Sequence, residues 1–422
     1  MKIIHVSNIE AFTAKFGSNC FQNTSLVQSI LTDVQKNGDK AVKKYEKKFS
    51  KANLITLRVS QQEISDAYTQ VTKDQIQAIK TTKNRLQKTE SSIKSLLKSK
   101  VIKIDGTTIS KKFLPIQSVG CYVPGGLAKY PSSVIMSVVP ARVAGVKNIV
   151  VVSPPKSDGK IDPLTVVAAN ICGARQIYKT GGAQAIAALS YGTKSIPKVD
   201  KIVGPGGSFV TTAKSLVGVH TAIDMLAGPT ELGILADSSS NPKFIALDLI
   251  SQAEHSKDTL CYLITNSQKL AKSVNTIISE FIPKISRQDF VKPSLEKNGF
   301  IAVCDNKSDM IRLANNLAPE HLQVMTSNSK EISSKITTPG LILLGNETPS
   351  SASDYLLGSN HILPTNRFGR TRGSLSVLDF IKLTTYVRTT KSSLKKISKD
   401  LEILTSAEGL PNHFEAARSR LE

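Results

Sequence analysis

Tryptophan is absent from the 422 residues, and aromatic side chains together make up only 5%. So few rings argue against a surface built to stack on single-stranded nucleic acid. Cysteine is scarce as well. Cys20, Cys121, Cys172, Cys261 and Cys304 are scattered, odd in number, and form no C-x-x-C pair. That pattern argues against a disulfide framework and a thiolate metal cluster, and makes a reducing cytoplasm the expected compartment. No window approaches the roughly 18 unbroken apolar residues that a membrane-spanning helix needs. The opening MKIIHVSNIE has too short an apolar run for a signal peptide. Internal repeats, low-complexity tracts and a G-x-G-x-x-G at a strand-to-helix turn are also missing.

What is present is a globular composition. Hydrophobic residues make up 40% and charged residues 21%, enough to exclude a disordered or collagen-like chain. The net charge is +22, and residues 1–112 hold 21 Lys/Arg against 9 Asp/Glu, which places +12 of it in the first quarter. There Lys36, Lys40, Lys43, Lys44, Lys47 and Lys48 alternate with Val34, Val42 and Tyr45, and residues 79–100 show the same texture. This is the pattern of amphipathic helices with a solvated basic face, so a nucleic-acid partner is not expected.

Residues 1–112 read as helices with one short strand pair, in which residues 53–59 would partner residues 101–104. From residue 113 lysines thin out. Short apolar runs then recur every 25–30 residues or so, at 119–123, 148–153, 176–179, 201–203 and 232–236, separated by helical stretches at 133–145, 163–172 and 183–191. Strands alternating with helices predict a parallel sheet covered on both faces, and unbroken apolar runs suit strands buried on both sides. Residues 238–381 repeat this texture as a second α/β unit, with room for a contribution from the first quarter. From residue 383 the chain reads as polar and helical, with Leu394, Ile397, Leu401 and Leu404 at helical spacing. About 40 residues cannot carry a core of their own, so this tail must pack on the body or on a second subunit.

Two features carry chemistry. Glycine-rich turns follow the expected strands at Gly125-Gly126, Gly181-Gly182, Gly204-Pro205-Gly206-Gly207 and Gly228-Pro229. Such turns let backbone N–H groups approach a phosphate, which points to a nucleotide site at the carboxyl edge of that sheet. Four of the six histidines sit beside an acid or amide. Gln252 lies three residues before His255, Glu320 adjoins His321, Asp354 precedes His361, and Glu408 precedes His413. Imidazole with carboxylate or amide oxygen suits Zn²⁺ or a similar divalent ion.

These residues resemble those of the histidinol dehydrogenase family. The resemblance rests on the segments Cys121-Tyr122-Val123-Pro124-Gly125-Gly126, Gly181-Gly182-Ala183-Gln184-Ala185 and Ile223-Asp224-Met225-Leu226-Ala227-Gly228-Pro229-Thr230-Glu231. It also rests on Ser251-Gln252-Ala253-Glu254-His255, Pro319-Glu320-His321-Leu322, Gly358-Ser359-Asn360-His361-Ile362-Leu363-Pro364-Thr365 and the ending Glu408-Gly409-Leu410-Pro411-Asn412-His413. Order and separation match over nearly the whole chain. The resemblance implies an α/β fold of two Rossmann-like doubly wound units with parallel sheets. Residues 1–112 would be a helical region contributing to the first unit, 113–237 the nucleotide-binding domain, and 238–381 the domain with zinc ligands and acid–base residues. Residues 382–422 would be a tail completing the neighbouring subunit's site in a homodimer. It further implies oxidation of L-histidinol to L-histidine in two steps with two NAD⁺ and one Zn²⁺ per site. The metal ligands would be Gln252, His255, Asp354 and His413, and the acid–base pair Glu320 and His321. Substrate contacts would come from Thr230, Gln252, His255, His321, Asp354, His361, Glu408 and His413, and nucleotide contacts from Tyr122, Gln184 and Gly207.

Two positions depart from the family pattern. Gly207 stands where the family usually has Asn at a nucleotide contact, and Thr230 where it has Ser; the second keeps its hydroxyl. Other readings are a zinc- and NAD-dependent dehydrogenase of another primary alcohol on the same scaffold, a basic nucleic-acid-binding protein, and an NAD-binding regulator without chemistry. A cysteine nucleophile, Cys121 or Cys261, is the alternative to water attack on the aldehyde. Both sit in apolar strands, where a buried structural thiol is expected.

Overall fold

A computed structural model describes residues 1–16, 23–125 and 129–422, so Cys20 and Gly126 lie outside the described residues. The strands, in chain order, are β1 (Lys2–His5), β2 (Lys100–Ile104), β3 (Thr107–Pro115), β4 (Ser118–Tyr122), β5 (Asn148–Ser153), β6 (Gln176–Lys179), β7 (Lys201–Val203), β8 (Ala222–Ile223), β9 (Glu231–Ala236), β10 (Leu260–Thr265), β11 (Phe300–Val303), β12 (His321–Met325), β13 (Leu341–Leu344) and β14 (Ile381–Arg388).

They form three sheets. A five-stranded sheet has the order β6-β5-β4-β7-β8 and a six-stranded sheet the order β1-β11-β10-β9-β12-β13, with every pair parallel. Numbered from its own first strand, the five-stranded sheet runs 3-2-1-4-5, and so does the other once β1 is set aside. That is the doubly wound order, in which the connections reverse direction at a switch point beside the first strand. The chain is therefore an α/β protein with two Rossmann-like units. The third sheet, β14-β3-β2, is antiparallel.

Each parallel sheet is apolar on both faces. Val119, Cys121 and Val151 pack with the helix Pro131–Ala144 on one face of the first sheet, while Val150, Val152 and Ile202 pack with the helix Gly182–Tyr191 on the other. Every residue of β9 is buried. The helices of the first quarter cover the first sheet: Val27, Ile30, Leu31 and Val34 of Thr24–Asn37 face inward, and the lysines of Asp39–Phe49 face solvent. No helix is long and apolar enough to cross a membrane among the described residues.

Three local expectations need correction. Residues 53–59 do not pair with β2, which pairs with β3 instead. Leu54, Leu57 and Val59 are buried in the core of the first unit, and this stretch bonds to the edge of β6 through Val59 N–H to Ile177 O and Lys179 N–H to Leu57 O. The run at 232–236, expected to close the first sheet, is β9 at the centre of the second, because its two flanks bury against β10 and β12. The tail is not helical from residue 383. β14 runs to Arg388 and pairs with β3 over eight positions before the helices Lys391–Ala407 and Pro411–Arg418 begin. These two helices pack on each other, and Ile397, Leu404 and Leu410 on them remain exposed.

The helix Lys73–Ser95 buries Ile79, Leu86 and also Glu90, only 2% exposed, whose Oε2 accepts from Val377 N–H at 2.6 Å. Burial pushes this carboxyl up from 4.5 to about 7, with Asp379 adding to the rise against the Val377 bond. The folded state then holds a proton that the unfolded chain releases between pH 4.5 and 7. Stability from Glu90 is present below that window and lost as pH rises through it, by up to roughly 3 kcal/mol. Glu90→Gln should remove this loss, so that denaturant-melt stability of the variant falls less steeply from pH 5 to 8 than that of the parent protein. Parallel curves would contradict the assignment.

Candidate active site

A cavity of about 740 Å³ lies where two edges of the molecule meet. One wall is the carboxyl edge of the five-stranded sheet: Pro124 and Gly125 after β4, Pro205 to Ser208 after β7, and Ala227 to Pro229 after β8. The other is the amino edge of the six-stranded sheet, with Thr230 before β9 and Glu320 and His321 at the start of β12. Gln252 and His255 arrive at the same edge because the helix Pro242–Ala253 runs back against the strands. His255 lies just beyond that helix. It follows the helix cap Glu254, its N–H donating to Gln252 O at 3.2 Å, so both side chains still reach one cavity. Asp354 caps the short helix Ser350–Ser353, and His361 follows on the connecting loop.

The turn after β7 depends on a glycine. Gly204 has φ +113°, and a Cβ there would collide with the Tyr122 carbonyl. Only glycine suits that position. Below it a buried ion pair between Lys214 and Asp224 holds the turn: Gly204 N–H donates to Asp224 Oδ2 at 2.8 Å, and Lys214 Nζ donates to Gly204 O at 3.0 Å. Gly207 faces open space, so a side chain would fit there, and it caps the helix Ser208–Val217 beside the cavity.

His321 is the electrostatic centre. It is 2% exposed, with Nε2 at 3.5 Å from Asp354 Oδ1, Nδ1 at 3.7 Å from Glu320 Oε2, and Nδ1 at 3.3 Å from the Glu231 carbonyl oxygen. Burial by itself would drive its proton off, but the Glu320 and Asp354 carboxylates outweigh burial and raise the imidazole to about 10. His361 goes the other way. Its Nδ1 sits 2.7 Å from the Asp354 carbonyl oxygen, and burial lowers it. Asp354 is held below the usual carboxylate range: the pull of His321 overcomes the burial that opposes it.

Gln252 Nε2, His321 Nε2 and Asp354 Oδ1 are buried without a hydrogen-bond partner. Each such group costs about 1–3 kcal/mol unless something in the cavity engages it. A half-turn of the Gln252 amide presents its oxygen instead, and the donor set then becomes imidazole, carboxylate and amide, which suits a divalent cation such as Zn²⁺. A cation on Asp354 would also remove one of the charges that keep His321 protonated. Among the described residues no group of three or more His, Cys, Asp or Glu converges on a metal position. The expected fourth ligand, His413, is exposed on the tail helix and lies outside this cavity, as does the exposed Glu408.

Tyr122 and Gln184 also stay off the cavity wall. The Tyr122 hydroxyl accepts from Gly182 N–H at 3.1 Å, and Gln184 Nε2 donates to the fully buried Glu46 at 2.8 Å. Glu46 holds Gly181 N–H and Thr180 Oγ1 as well, so it anchors the turn after β6. Among lysines on an amphipathic helix, nothing in the sequence set it apart. Tyr130 and Tyr355 line the cavity without having been singled out, although Tyr355 adjoins Asp354.

Paired doubly wound sheets that enclose a buried cluster of imidazoles and carboxylates have the architecture of an α/β enzyme. The family model for histidinol dehydrogenase matches residues 17–421. Histidinol dehydrogenases of Methanocaldococcus jannaschii and Oceanobacillus iheyensis are 43% and 41% identical over 94% of this chain and 92% of their own. The crystal structure of histidinol dehydrogenase from Elizabethkingia anophelis superposes with a TM-score of 0.93 at 35% identity, covering 100% of this chain and 97% of that one. The chain belongs to the histidinol dehydrogenase family, a family of oxidoreductases.

Cys121, Cys172, Cys261 and Cys304 are buried, and none lines the cavity. Burial pushes the thiols of Cys121, Cys172 and Cys304 up to about 12 and that of Cys261 up further. Thiols so protonated are inert. Native protein treated with iodoacetamide at pH 7.5 should therefore show no label on these four by mass spectrometry, against full labelling in denaturant. Rapid native labelling of Cys121 or Cys261 would reopen the thiol route.

Proposed function

We propose that this chain is a Zn²⁺- and NAD⁺-dependent histidinol dehydrogenase, oxidising L-histidinol through histidinaldehyde to L-histidine as the last step of histidine biosynthesis. The observation that carries this reading is the convergence of Gln252, His255, Glu320, His321 and Asp354 on one cavity, with three of their buried polar atoms left without a hydrogen bond. A related dehydrogenase of another primary alcohol would need a different substrate wall, and here the positions for substrate contact, Thr230 and His361, face the same space.

Gln252, His255 and Asp354 would hold the metal, with His413 of a second subunit as fourth ligand. That assignment accounts for a tail whose helices touch little of their own body and leave apolar residues uncovered. The working molecule would be a cytoplasmic homodimer with shared sites. Zn²⁺, when bound there, would supply an electrophilic anchor for the substrate's nitrogens, and orientation of this kind lowers the barrier by several kcal/mol. NAD⁺, when bound at the glycine-rich carboxyl edge, supplies the hydride acceptor. The N-terminus of the helix Ser208–Val217 and the open side of Gly207 would face it, with Tyr122 and Gln184 setting the turn beneath.

Once it has given up the proton that Glu320 and Asp354 hold on it, His321 takes the hydroxyl proton at Nε2 as hydride leaves the carbinol carbon, and the aldehyde forms. The aldehyde must then gain water before a second hydride can leave. Glu320 accepts a proton from that water, the water oxygen bonds to the carbonyl carbon, and His321, having released its first proton to solvent, collects the remaining hydroxyl proton as the second hydride departs. Two hydrides and three protons leave per carboxylate formed, at roughly 10²–10⁴-fold acceleration from each proton transfer.

The test of the function is stoichiometric: incubation with L-histidinol and NAD⁺ should give two NADH per histidine. One NADH per turnover, with aldehyde accumulating, would contradict the four-electron reading. For the mechanism, Glu320→Gln should slow aldehyde-to-acid turnover by about 10²-fold or more and leave alcohol-to-aldehyde turnover within a few-fold. Equal slowing of both would remove Glu320 from the water-activating role.

A further inference from the structure

Glu231 is the first residue of β9, and Glu320 immediately precedes β12, its neighbour in the sheet. Main chain and side chain of the two residues interlock. Glu231 N–H donates to Glu320 Oε2 at 2.9 Å, and Glu320 N–H donates to Glu231 Oε2 at 3.1 Å. The second oxygen of Glu231, Oε1, accepts from Asn366 N–H at 2.9 Å. Glu320 lines the cavity and Glu231 does not. The clamp ties one oxygen of Glu320 to the sheet edge and fixes the carboxylate against the wall it shares with His321.

Asn366 and Arg367 are consecutive non-glycine residues with φ of +53° and +66°. This strained turn passes the site next to Gly228, whose N–H donates to Thr365 Oγ1 at 2.5 Å. Glu231 is therefore the joint between the turn, β9 and the acid–base strand. Both of its oxygens face backbone donors, a demand that only an ionised carboxylate meets in full, since an amide would turn an NH₂ toward one of them. The cost of burying that charge is visible: desolvation, with the Glu320 charge adding, pushes Glu231 up to about 7. A side chain needed only to fill space would not carry it.

We infer that Glu231 is a positioning residue for the reaction: its carboxylate holds the Glu320 main chain, and through it sets where the Glu320 carboxylate meets the water that adds to the aldehyde. This rests on the assignment of Glu320 as the base of the second oxidation. Because His321 is also held by Asp354 from another loop, the first oxidation depends less on the clamp.

The experiment uses the zinc-loaded full-length protein with Glu231→Gln, which keeps the length and one acceptor oxygen. The first NADH from L-histidinol in a single turnover reports the alcohol step, and NADH from supplied histidinaldehyde reports the aldehyde step. The aldehyde step should fall by about tenfold or more, with the alcohol step and the KM for histidinol within about threefold. Equal slowing of the two steps, or no change in either, overturns the inference. Should that variant fail to fold, Glu231→Asp keeps the charge but withdraws it from both N–H groups, and the same selectivity is required of it. Glu320→Gln is run alongside. If it spares the aldehyde step, the assignment of Glu320 has failed; if it is step-selective while the Glu231 variants are not, only the clamp is refuted.

Discussion

Parallel strand direction is the constraint from which the rest of this molecule follows. In a parallel sheet every strand leaves through the same edge, so one edge gathers all the strand-to-helix turns and the other all the helix-to-strand returns. The five-stranded sheet turns its carboxyl edge, rich in glycine turns, toward the amino edge of the six-stranded sheet. A cleft between unlike edges receives flexible, donor-rich backbone from one side and side chains anchored at strand starts and helix ends from the other. Thr230, Gln252, His255, Glu320 and His321 share one cavity for that reason, although they are spread over about 90 residues of sequence.

Charge inside the cleft is balanced locally. His321 sits between two carboxylates that overcome its burial, Asp354 is held ionised by the imidazoles around it, and at Glu231 burial and the Glu320 charge outweigh the backbone donors and push the carboxyl up to about 7. Removing one member of such a set leaves a buried charge or donor uncompensated, which costs more than the pair itself contributes. Gln252 Nε2, His321 Nε2 and Asp354 Oδ1 are the exception: they are buried without a hydrogen bond, and their residues line the cavity.

Much of this was legible from residue order. The strands at 119–123, 148–153, 176–179 and 201–203 announce themselves as apolar runs between helical stretches, since burial on both faces leaves no room for polar alternation. The same uniformity hid which sheet β9 joins: a strand buried on both faces carries no mark of its neighbours. Residues 383–388 read as polar helix but form β14, because a half-exposed edge strand has a weak apolar signal and takes its conformation from pairing with β3. Histidines beside acids or amides were visible because histidine is rare here. Glu46, one more charged residue on a lysine-rich helix, was not, because its role exists only once residues 180–184 fold over it.

The sequence by itself determined the alternation of strands and helices, the glycine turns and the identities of the side chains proposed for acid–base work and metal binding, since these depend on local periodicity and on chemistry that each residue carries wherever it sits. Tertiary structure alone decided which edge faces which, that Glu231 and Glu320 interlock, and that His413 stands away from the cavity its own chain builds. Those outcomes depend on distances between segments far apart in the chain, and such distances are set by packing whole sheets and helices, not by any stretch read in isolation.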